Sequence, residues 1–496
     1  MSAAGARSPL FHLGWRANGD SLDVALAANR LRAAGSRAWW LRNRHDHADA
    51  GDYLVELSAG QIDALAHLGL SMFPWHDDIP TDAVAVARPQ VRLFAGTASK
   101  YPYFAYYSLC LLRLGIDYLP CDGAALAGGA LDDADLLILP GGFATWGIDA
   151  AEDAPGADRC VRAFLARGGG AIGSCGGAFY LSAGRPGWTG TAAAKPLYTH
   201  EYLQSGVGVV AIAMRPGPLS LGCPPTMEVP YYHGPIYDLV GEGVEVAATF
   251  QALTMSGRLA IDNPLDRARF DRDMAGKPAI LTAAGDRGAA VLFSPHPEMG
   301  DLVRKYIALD GYVRHYLPIR GFATLRDTLR HYRVADAPCF RLVHNAIQAL
   351  MMGIGASARA DACTKSSRSS AAVAAQQFPA RAPGAADLRS LCGRAVSALP
   401  ELPADDEGAL LRDVARGIAQ RLDRMEKRAI FAMHNTPEDS NLMPSRRHLE
   451  ATMADHMRHA THRTVTQQLM EADLAVALLE CWTRAVELDR AIAGAA

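Results

Sequence analysis

The sequence GGGAIGSCGGAFYLS, residues 168–182, decides how the rest of this chain is interpreted. Its first part is small and apolar and predicts the end of a buried strand, whereas its last part predicts the first turns of a helix. Cys175 stands between them, with glycines on both sides. Because glycine permits a backbone turn that is too tight for a Cβ atom, this pattern is typical of a nucleophile elbow.

An elbow at this position has two chemical consequences. The turn lifts the sulfur of Cys175 out of the sheet, and the backbone N–H of Gly176 then lies at the N-terminus of a helix. That location lowers the pKa of a thiol and provides a donor that stabilises an oxyanion. The alternative is a buried structural cysteine beside a glycine-rich turn, and this stretch alone leaves that alternative open.

Composition excludes several classes of protein. A chain of 496 residues has room for roughly two to four domains, and a net charge of -3 gives no bulk attraction to nucleic acid or to an anionic membrane. No stretch approaches the apolar length of a membrane span, and residues 1–9 hold no long apolar region, so we expect no secretory signal. The nine cysteines are scattered without a C-x-x-C pair, which indicates reduced thiols and a cytoplasmic protein.

Four regions follow from the patterning along the chain. Residues 1–88 mix strands and helices and predict a small α/β accessory domain, and residues 89–352 predict the domain that carries the elbow. Residues 353–386 are rich in Ala, Ser, Pro, Gly and Arg without periodicity and predict a disordered linker. Residues 387–496 have apolar residues at helical spacing and predict an all-α module or an oligomerisation element.

Short apolar strands alternate with helices before the elbow, which predicts an α/β fold with a flavodoxin-like, doubly wound parallel sheet. Ligand sites in such sheets lie beyond the carboxyl ends of the strands. Gly141 and Gly142 follow one strand, at 135–140, and Cys175 follows the next. After the elbow the pattern is richer in strands, and residues 278–283 and 288–293 predict a hairpin.

A nucleophilic cysteine needs a general base, a group that orients the base, and an oxyanion hole. We select His296 from the sixteen histidines because it ends an apolar strand at the same edge of the sheet. Glu298 lies two residues later, so in an extended chain its carboxylate points the same way and holds the imidazole in the right tautomer. The N–H of Gly176 and an N–H from the Gly141–Gly142 turn are the two candidate oxyanion donors.

Residues 91–300 resemble the class I glutamine amidotransferase-like superfamily, and within it the amidotransferase-like N-terminal domain of biotin-protein ligases. The matching motifs are LPGG at 139–142, GSCGGAFY at 173–180, YYHGP at 231–235, GKPAI at 276–280 and HPE at 296–298. The resemblance implies a triad of Cys175, His296 and Glu298. It also implies an oxyanion hole made by the amides of Gly142 and Gly176.

Two positions depart from the family patterns. Glutaminases have Gln where this chain has Phe179, which puts free glutamine in doubt as the substrate. The related ligase domains have Tyr-Tyr-Asn-Gly-Gly where this chain has Tyr-Tyr-His-Gly-Pro, so His233 is either a substrate contact or a neutral replacement. With Gly141 and Tyr232, these two residues complete the set that we expect to bind substrate.

Three functional hypotheses remain open. The first is an enzyme that hydrolyses or transfers an amide through a Cys175 thioester, with a small amide or peptide as substrate. The second is a non-catalytic ligand-binding or scaffold protein whose C-terminal helices recruit a protein partner or self-associate. The third is a glutaminase subunit that supplies ammonia to a synthetase in trans, since the chain has no G-x-x-x-x-G-K-[ST] phosphate loop. We expect no metal or other cofactor, no nucleic acid and no membrane contact.

Overall fold

The computed structural model describes residues 9–99, 103–142, 147–197, 206–253, 265–285, 288–315, 336–358, 412–421, 423–424 and 465–494. The strands are β1 Leu10–Leu13, β2 Ala38–Trp40, β3 Tyr53–Glu56, β4 Phe73–Pro74, β5 Val84–Ala85, β6 Val91–Phe94, β7 Tyr118–Cys121, β8 Leu136–Leu139, β9 Gly170–Ser174, β10 Ala194–Pro196, β11 Val207–Met214, β12 Thr226–Tyr232, β13 Tyr237–Val240, β14 Val244–Leu253, β15 Pro278–Gly285 and β16 Gly288–Phe293. The first helices are α1 Asp23–Ala33, α2 Ala59–His67, α3 Tyr103–Leu114, α4 Gly123–Ala127, α5 Ile148–Glu152, α6 Ala157–Ala166 and α7 Gly176–Leu181. The later long helices are Gly300–His315, Ala337–Ala358 and Val465–Gly494.

A nine-stranded sheet forms the centre of the molecule, in the order β12-β11-β14-β15-β16-β9-β8-β6-β7. Five neighbouring strands, β7, β6, β8, β9 and β16, are parallel and follow the flavodoxin-like order 2-1-3-4-5 when counted along the chain. The other four, β12, β11, β14 and β15, are antiparallel.

The prediction of a doubly wound parallel sheet therefore holds for one part of the sheet only. The predicted hairpin is confirmed as β15 and β16, which pair antiparallel from Ile280–Phe293 to Gly285–Gly288. Parallel pairing requires a crossover of a dozen or more residues, and the connection between these two strands is far shorter. The tight connection thus fixes the antiparallel direction and makes the sheet mixed.

The parallel strands are buried on both faces, which explains their unbroken apolar sequences. All residues of β6, β8 and β9 are buried. One face packs against a core that includes α3, and the other packs against a core that includes α4, α6 and α7. This double cover holds the carboxyl ends of β8, β9 and β16 at one edge, where the candidate site lies.

The N-terminal region forms a second, five-stranded antiparallel sheet in the order β4-β1-β3-β2-β5. Its helix α1 packs against α3 of the central unit, and the apolar residues of both belong to one core. The predicted α/β unit before residue 88 is therefore attached to the central sheet by a shared core.

The C-terminal helix Val465–Gly494 belongs to the region 387–496, for which the sequence predicts an all-α module or an oligomerisation element. It packs on α1, α2, α3 and the helix Gly300–His315, and Leu478 and Trp482 are fully buried in the main core. Arg30 of α1 donates to both carboxylate oxygens of Asp489, at 2.6 and 2.7 Å. Within the described residues, the apolar face that predicted an oligomerisation element is covered by the same chain.

Two further boundaries can be compared. The helix Ala337–Ala358 continues past Gly353, where the predicted linker begins. The remainder of that linker, 359–386, lies outside the described residues, as does most of 387–464. Among the helices that the structure describes, none combines the length and apolar character that crossing a bilayer demands.

Candidate active site

Cys175 lies at the turn between β9 and α7 in a backbone conformation that non-glycine residues seldom adopt. Its φ is 49° and its ψ is -106°. Such a conformation costs on the order of 1–3 kcal/mol and persists only where the surroundings impose it. The N–H of Cys175 donates to the carbonyl of Phe293 at 2.9 Å, which ties the turn to the end of β16.

Two glycines make the tight turn possible. A Cβ atom on Gly177 would lie 2.0 Å from the carbonyl oxygen of Leu139, and one on Gly173 would lie 2.6 Å from the backbone of Gly177. Neither distance is sterically permitted, so the start of α7 packs directly on β8 and β9 only because these residues are glycines. The spacing in GSCGG is thus explained by close backbone approach as well as by turn geometry.

The structure brings His296 and Glu298 together beside Cys175. His296 Nδ1 lies 2.7 Å from Glu298 Oε1, and both side chains are fully buried. The prediction placed the two residues in an extended chain. The structure instead has a 3₁₀ turn at Pro297–Met299. This turn folds the carboxylate back onto the ring, so the predicted pair forms for a different geometric reason.

The environment of His296 favours the charged imidazolium. Burial opposes the charge, but the carboxylate of Glu298 and the hydrogen bonds to Cys175 and Glu298 outweigh burial and raise the pKa of His296 to about 10. The ring is held in place on both sides, since Tyr103 stacks on it at 5.5 Å and Tyr232 meets it edge-on at 6.1 Å.

The nucleophile and the base meet at a single acceptor, the carbonyl oxygen of Tyr232. Cys175 Sγ lies 3.0 Å from this oxygen and His296 Nε2 lies 3.3 Å from it. If Nδ1–H donates to Glu298 and Nε2–H donates to this carbonyl, the ring is the imidazolium, in agreement with the raised pKa of His296. The carbonyl at the end of β12 therefore holds the two reactive atoms next to each other.

Three residues that were not predicted from the sequence complete this site. Ser174 Oγ donates to Glu298 Oε2 at 2.9 Å, and the hydroxyl of Tyr107 lies 2.6 Å from Ser174 Oγ. Tyr103 supplies the ring that stacks on His296. Strand alternation could have indicated Ser174, because the residue before the cysteine points to the opposite side, toward α3. Nothing in the local sequence identifies the two tyrosines.

The predicted glycine donors lie at the expected edge of the sheet. A Cβ atom on Gly141 would lie 2.7 Å from His296 Cε1 and 2.9 Å from Tyr103 Cδ1, so the glycine leaves space against the imidazole. Gly142 follows with a φ of 74°, which glycine adopts at little cost. Gly176 begins α7 directly after the cysteine.

The structure separates the predicted substrate-binding residues into two groups. Tyr232 contributes the carbonyl that contacts both Cys175 and His296. Phe179 is buried in the core beneath the site, with its ring 5.8 Å from that of Trp188. A role for the Phe179 ring in filling the core thus explains why a polar glutamine is absent there.

His233 has a backbone role that accounts for its identity. Its φ is 50°, a region in which Asn and His are enriched, and its N–H donates to the carbonyl of Gly206 at 2.9 Å. Its Nδ1 accepts from the N–H of Gly206 at 3.0 Å. Burial, followed by the charges of His296 and Arg269, lowers the pKa of His233, so the ring is neutral. These contacts favour the neutral-replacement interpretation.

No group of His, Cys, Asp and Glu side chains in the part of the chain that the structure describes has the arrangement of a metal site. Two other cysteines that the structure describes, Cys121 and Cys223, lie away from the site. Burial is the largest factor raising the pKa of Cys121, to about 12, and of Cys223, to about 11.

Comparison with protein families gives one match. Residues 110–196 match the model of the CobB/CobQ-like glutamine amidotransferase domain, a segment that includes Gly142, Cys175 and Gly176 and ends before His296. This segment resembles a glutamine amidotransferase. The match supports the class I amidotransferase-like resemblance for this part of the chain, and it does not reach the finer likeness to biotin-protein ligases. No curated protein matches the chain.

Solved structures give distant likenesses. A Thermoplasma acidophilum protein assigned as part of a GMP synthase is 14% identical, with 53% of this chain and 99% of that chain covered and a TM-score of 0.29. A glutamine amidotransferase from Thermotoga maritima is 13% identical, with 53% and 98% covered and a TM-score of 0.33. At TM-scores this low, these likenesses support no inference about the present chain.

Proposed function

We propose that the chain is a cysteine-dependent amide hydrolase or amidotransferase that works through a thioester on Cys175. The observation that carries the proposal is the convergence of Cys175 Sγ and His296 Nε2 on one carbonyl oxygen, with His296 Nδ1 2.7 Å from Glu298. A buried cysteine with no catalytic role would not need a charged imidazole beside it, since burying a charge is costly.

The reaction follows from the placement of these atoms. The Cys175 thiolate attacks the carbonyl carbon of the amide, and a C–S bond forms. As the tetrahedral intermediate collapses, the C–N bond breaks and the protonated Nε2 of His296 gives its proton to the leaving amine. Neutral His296 then takes a proton from water or from an acceptor amine, which attacks the thioester and releases Cys175.

Two backbone amides are the proposed oxyanion hole. The N–H of Gly176 follows the nucleophile at the start of α7, and the N–H of Gly142 comes from the turn after β8. Donors of this kind are typically worth about 3–4 kcal/mol each in the transition state. The negative charge on the substrate oxygen would thus be held by groups that need no reorganisation.

We propose an amide or short peptide rather than free glutamine as the substrate. The position at which glutaminases place Gln is Phe179, and its ring packs against Trp188 in the core. It offers no hydrogen bond to a substrate. This argument also disfavours a glutaminase subunit that supplies ammonia in trans. The likeness to biotin-protein ligase N-terminal domains and a cytoplasmic location remain predictions.

A binding or scaffold role is the second candidate, and one contact favours it. Both Cys175 Sγ and His296 Nε2 already have an internal acceptor in Tyr232, so the two atoms are satisfied without substrate. In that case the site would hold a ligand without turnover.

Trapping of the acyl group separates the two candidates. The protein is incubated with a library of amides and short peptides, quenched in acid, and digested, and the peptide containing Cys175 is analysed by mass spectrometry. An acyl adduct on Cys175 that is absent in His296→Ala supports the enzyme. Binding of a library member without an adduct or product would support the scaffold.

A further inference from the structure

The second oxygen of the Glu298 carboxylate is held by a chain of hydroxyl groups that the triad itself does not include. Ser174 Oγ donates to Glu298 Oε2 at 2.9 Å, and Tyr107 Oη lies 2.6 Å from Ser174 Oγ. A serine hydroxyl has one hydrogen, which here goes to Glu298. Tyr107 must therefore be the donor to Ser174, so the direction of the chain is fixed.

Every side chain in this hydrogen-bonded network is fully buried. Tyr107, Ser174, His296 and Glu298 each have 0% exposed surface. Burying a carboxylate away from water is costly unless hydrogen-bond donors satisfy its oxygens. Glu298 has one donor on each oxygen, His296 Nδ1–H on Oε1 and the Ser174 hydroxyl on Oε2.

The two hydroxyl groups can support the Glu298 carboxylate in this way only if Tyr107 keeps its proton. Burial and, after it, the charge of Glu298 raise the pKa of Tyr107 well above its ordinary value. The phenol is therefore a donor over the whole range in which a triad operates. Tyr107 belongs to α3, which also carries Tyr103, so one helix supports both Glu298 and the imidazole of His296.

We propose that Ser174 and Tyr107 are positioning residues that hold the Glu298 carboxylate in place against His296. The inference rests on the proposed function, since it assigns the residues that support the proposed triad from behind. Neither residue is placed to contact a substrate at Cys175, because the hydroxyl chain leads away from the sulfur through Glu298. Their effect reaches Cys175 through the imidazolium of His296.

The test measures the rate of Cys175 alkylation by iodoacetamide against pH in the full chain. In Ser174→Ala the Glu298 carboxylate loses one hydrogen-bond donor. We therefore expect the midpoint of the pH profile of Cys175 alkylation to move upward by about 1 pH unit. The rate at pH 6.5 should then fall about tenfold. Tyr107→Phe removes the donor to Ser174 and so lies one hydrogen bond further from Glu298. We expect it to cause about a third of the fall in alkylation rate. Ser174→Thr keeps the hydroxyl and should stay close to the wild type.

Two neighbouring residues of the protein serve as matched controls. Tyr106 is the neighbour of Tyr107, and its hydroxyl contacts Met470 instead of the triad. Ser108 is as buried as Ser174, and its hydroxyl donates to the carbonyl of Phe104 within α3. Tyr106→Phe and Ser108→Ala should have the pH profile of the wild type, because they remove the same atoms without touching Glu298.

The outcomes separate this inference from the proposed function. A wild-type profile that is reactive below neutral pH, with Ser174→Ala and Tyr107→Phe superimposed on it, overturns the inference and leaves the triad intact. An ordinary-thiol profile in the wild type overturns both. If circular dichroism shows that Ser174→Ala does not fold, Tyr107→Phe decides: an unchanged profile overturns the inference, and a shifted one supports it.

Discussion

Two histidines, His296 and His344, are both fully buried, yet the molecule treats them in opposite ways. At His296 the Glu298 carboxylate outweighs burial and the pKa rises to about 10. At His344 burial lowers the pKa to about 4, helped by the charge of Arg341 and opposed by a hydrogen bond to Asn345. Its other neighbours are Tyr53, whose hydroxyl is 3.2 Å from Nε2, and the edge of Trp40.

The opposite pKa shifts of the two rings indicate that a carboxylate partner, rather than depth in the core, decides whether a buried imidazole is charged. His344 lies on the helix Ala337–Ala358 where it meets the N-terminal sheet, and its ring serves packing. His296 lies at the end of β16, where Glu298 and its hydroxyl chain meet the sulfur of Cys175. Only the second arrangement is suited to moving a proton.

The largest effect should come from removing the nucleophile. Cys175→Ala should lower amide turnover by a factor on the order of 10⁴ or more, because the thioester cannot form. The melting temperature should change by only a few degrees, since one sulfur atom is lost. The assay follows amine release from a substrate found by acyl trapping. Turnover at the wild-type rate would refute the catalytic role.

The next largest effect should come from making His296 resemble His344. Glu298→Gln keeps the shape of the side chain but removes its charge, so burial should dominate and lower the pKa of the ring below about 6.5. ¹⁵N NMR of histidine-labelled protein at pH 7.5 should show a doubly protonated His296 in the wild type and a neutral ring in the variant. A neutral His296 in the wild type would remove the contrast between the two histidines.

A smaller effect should appear in stability at acid pH. The folded-state pKa of His344, about 4, lies below the unfolded value of about 6.5, so the unfolded state binds more protons as pH falls from 6.5 to 4. This histidine should therefore cost up to about 3 kcal/mol of stability across that window. Urea unfolding should show a flatter pH dependence in His344→Gln than in the wild type. Equal slopes of the unfolding free energy against pH in the two proteins would contradict the lowered pKa of His344.

The smallest effect should come from His233. Asn tolerates positive φ and can accept from the Gly206 N–H, so His233→Asn should keep turnover within about threefold and the melting temperature within a few degrees. A rise in KM of tenfold or more with unchanged kcat would instead identify His233 as a substrate contact.

The sequence allowed the parallel part of the sheet to be predicted from local patterns. It allowed the meeting of Cys175 and His296 to be predicted because each follows an apolar strand at the same edge of the sheet. GSCGG needs its glycines for close packing, and β8 and β9 need apolar residues on both faces. The contact between Tyr107 and Ser174 was not predictable, since Tyr107 lies within the helix α3, where no strand end or motif marks it. The docking of the C-terminal helix was missed because an amphipathic pattern shows that a face is covered and not what covers it.

One measurement tests the central claim most directly: the labelling of each cysteine by iodoacetamide at pH 6, followed by mass spectrometry. Cys160 is the internal reference, because it is more exposed than Cys175 and its sulfur faces the carbonyl of Ala127. We predict that Cys175 is labelled at least tenfold faster than Cys160, despite its burial, and that His296→Ala abolishes this advantage. Equal labelling of Cys175 in the wild type and in His296→Ala would contradict the account.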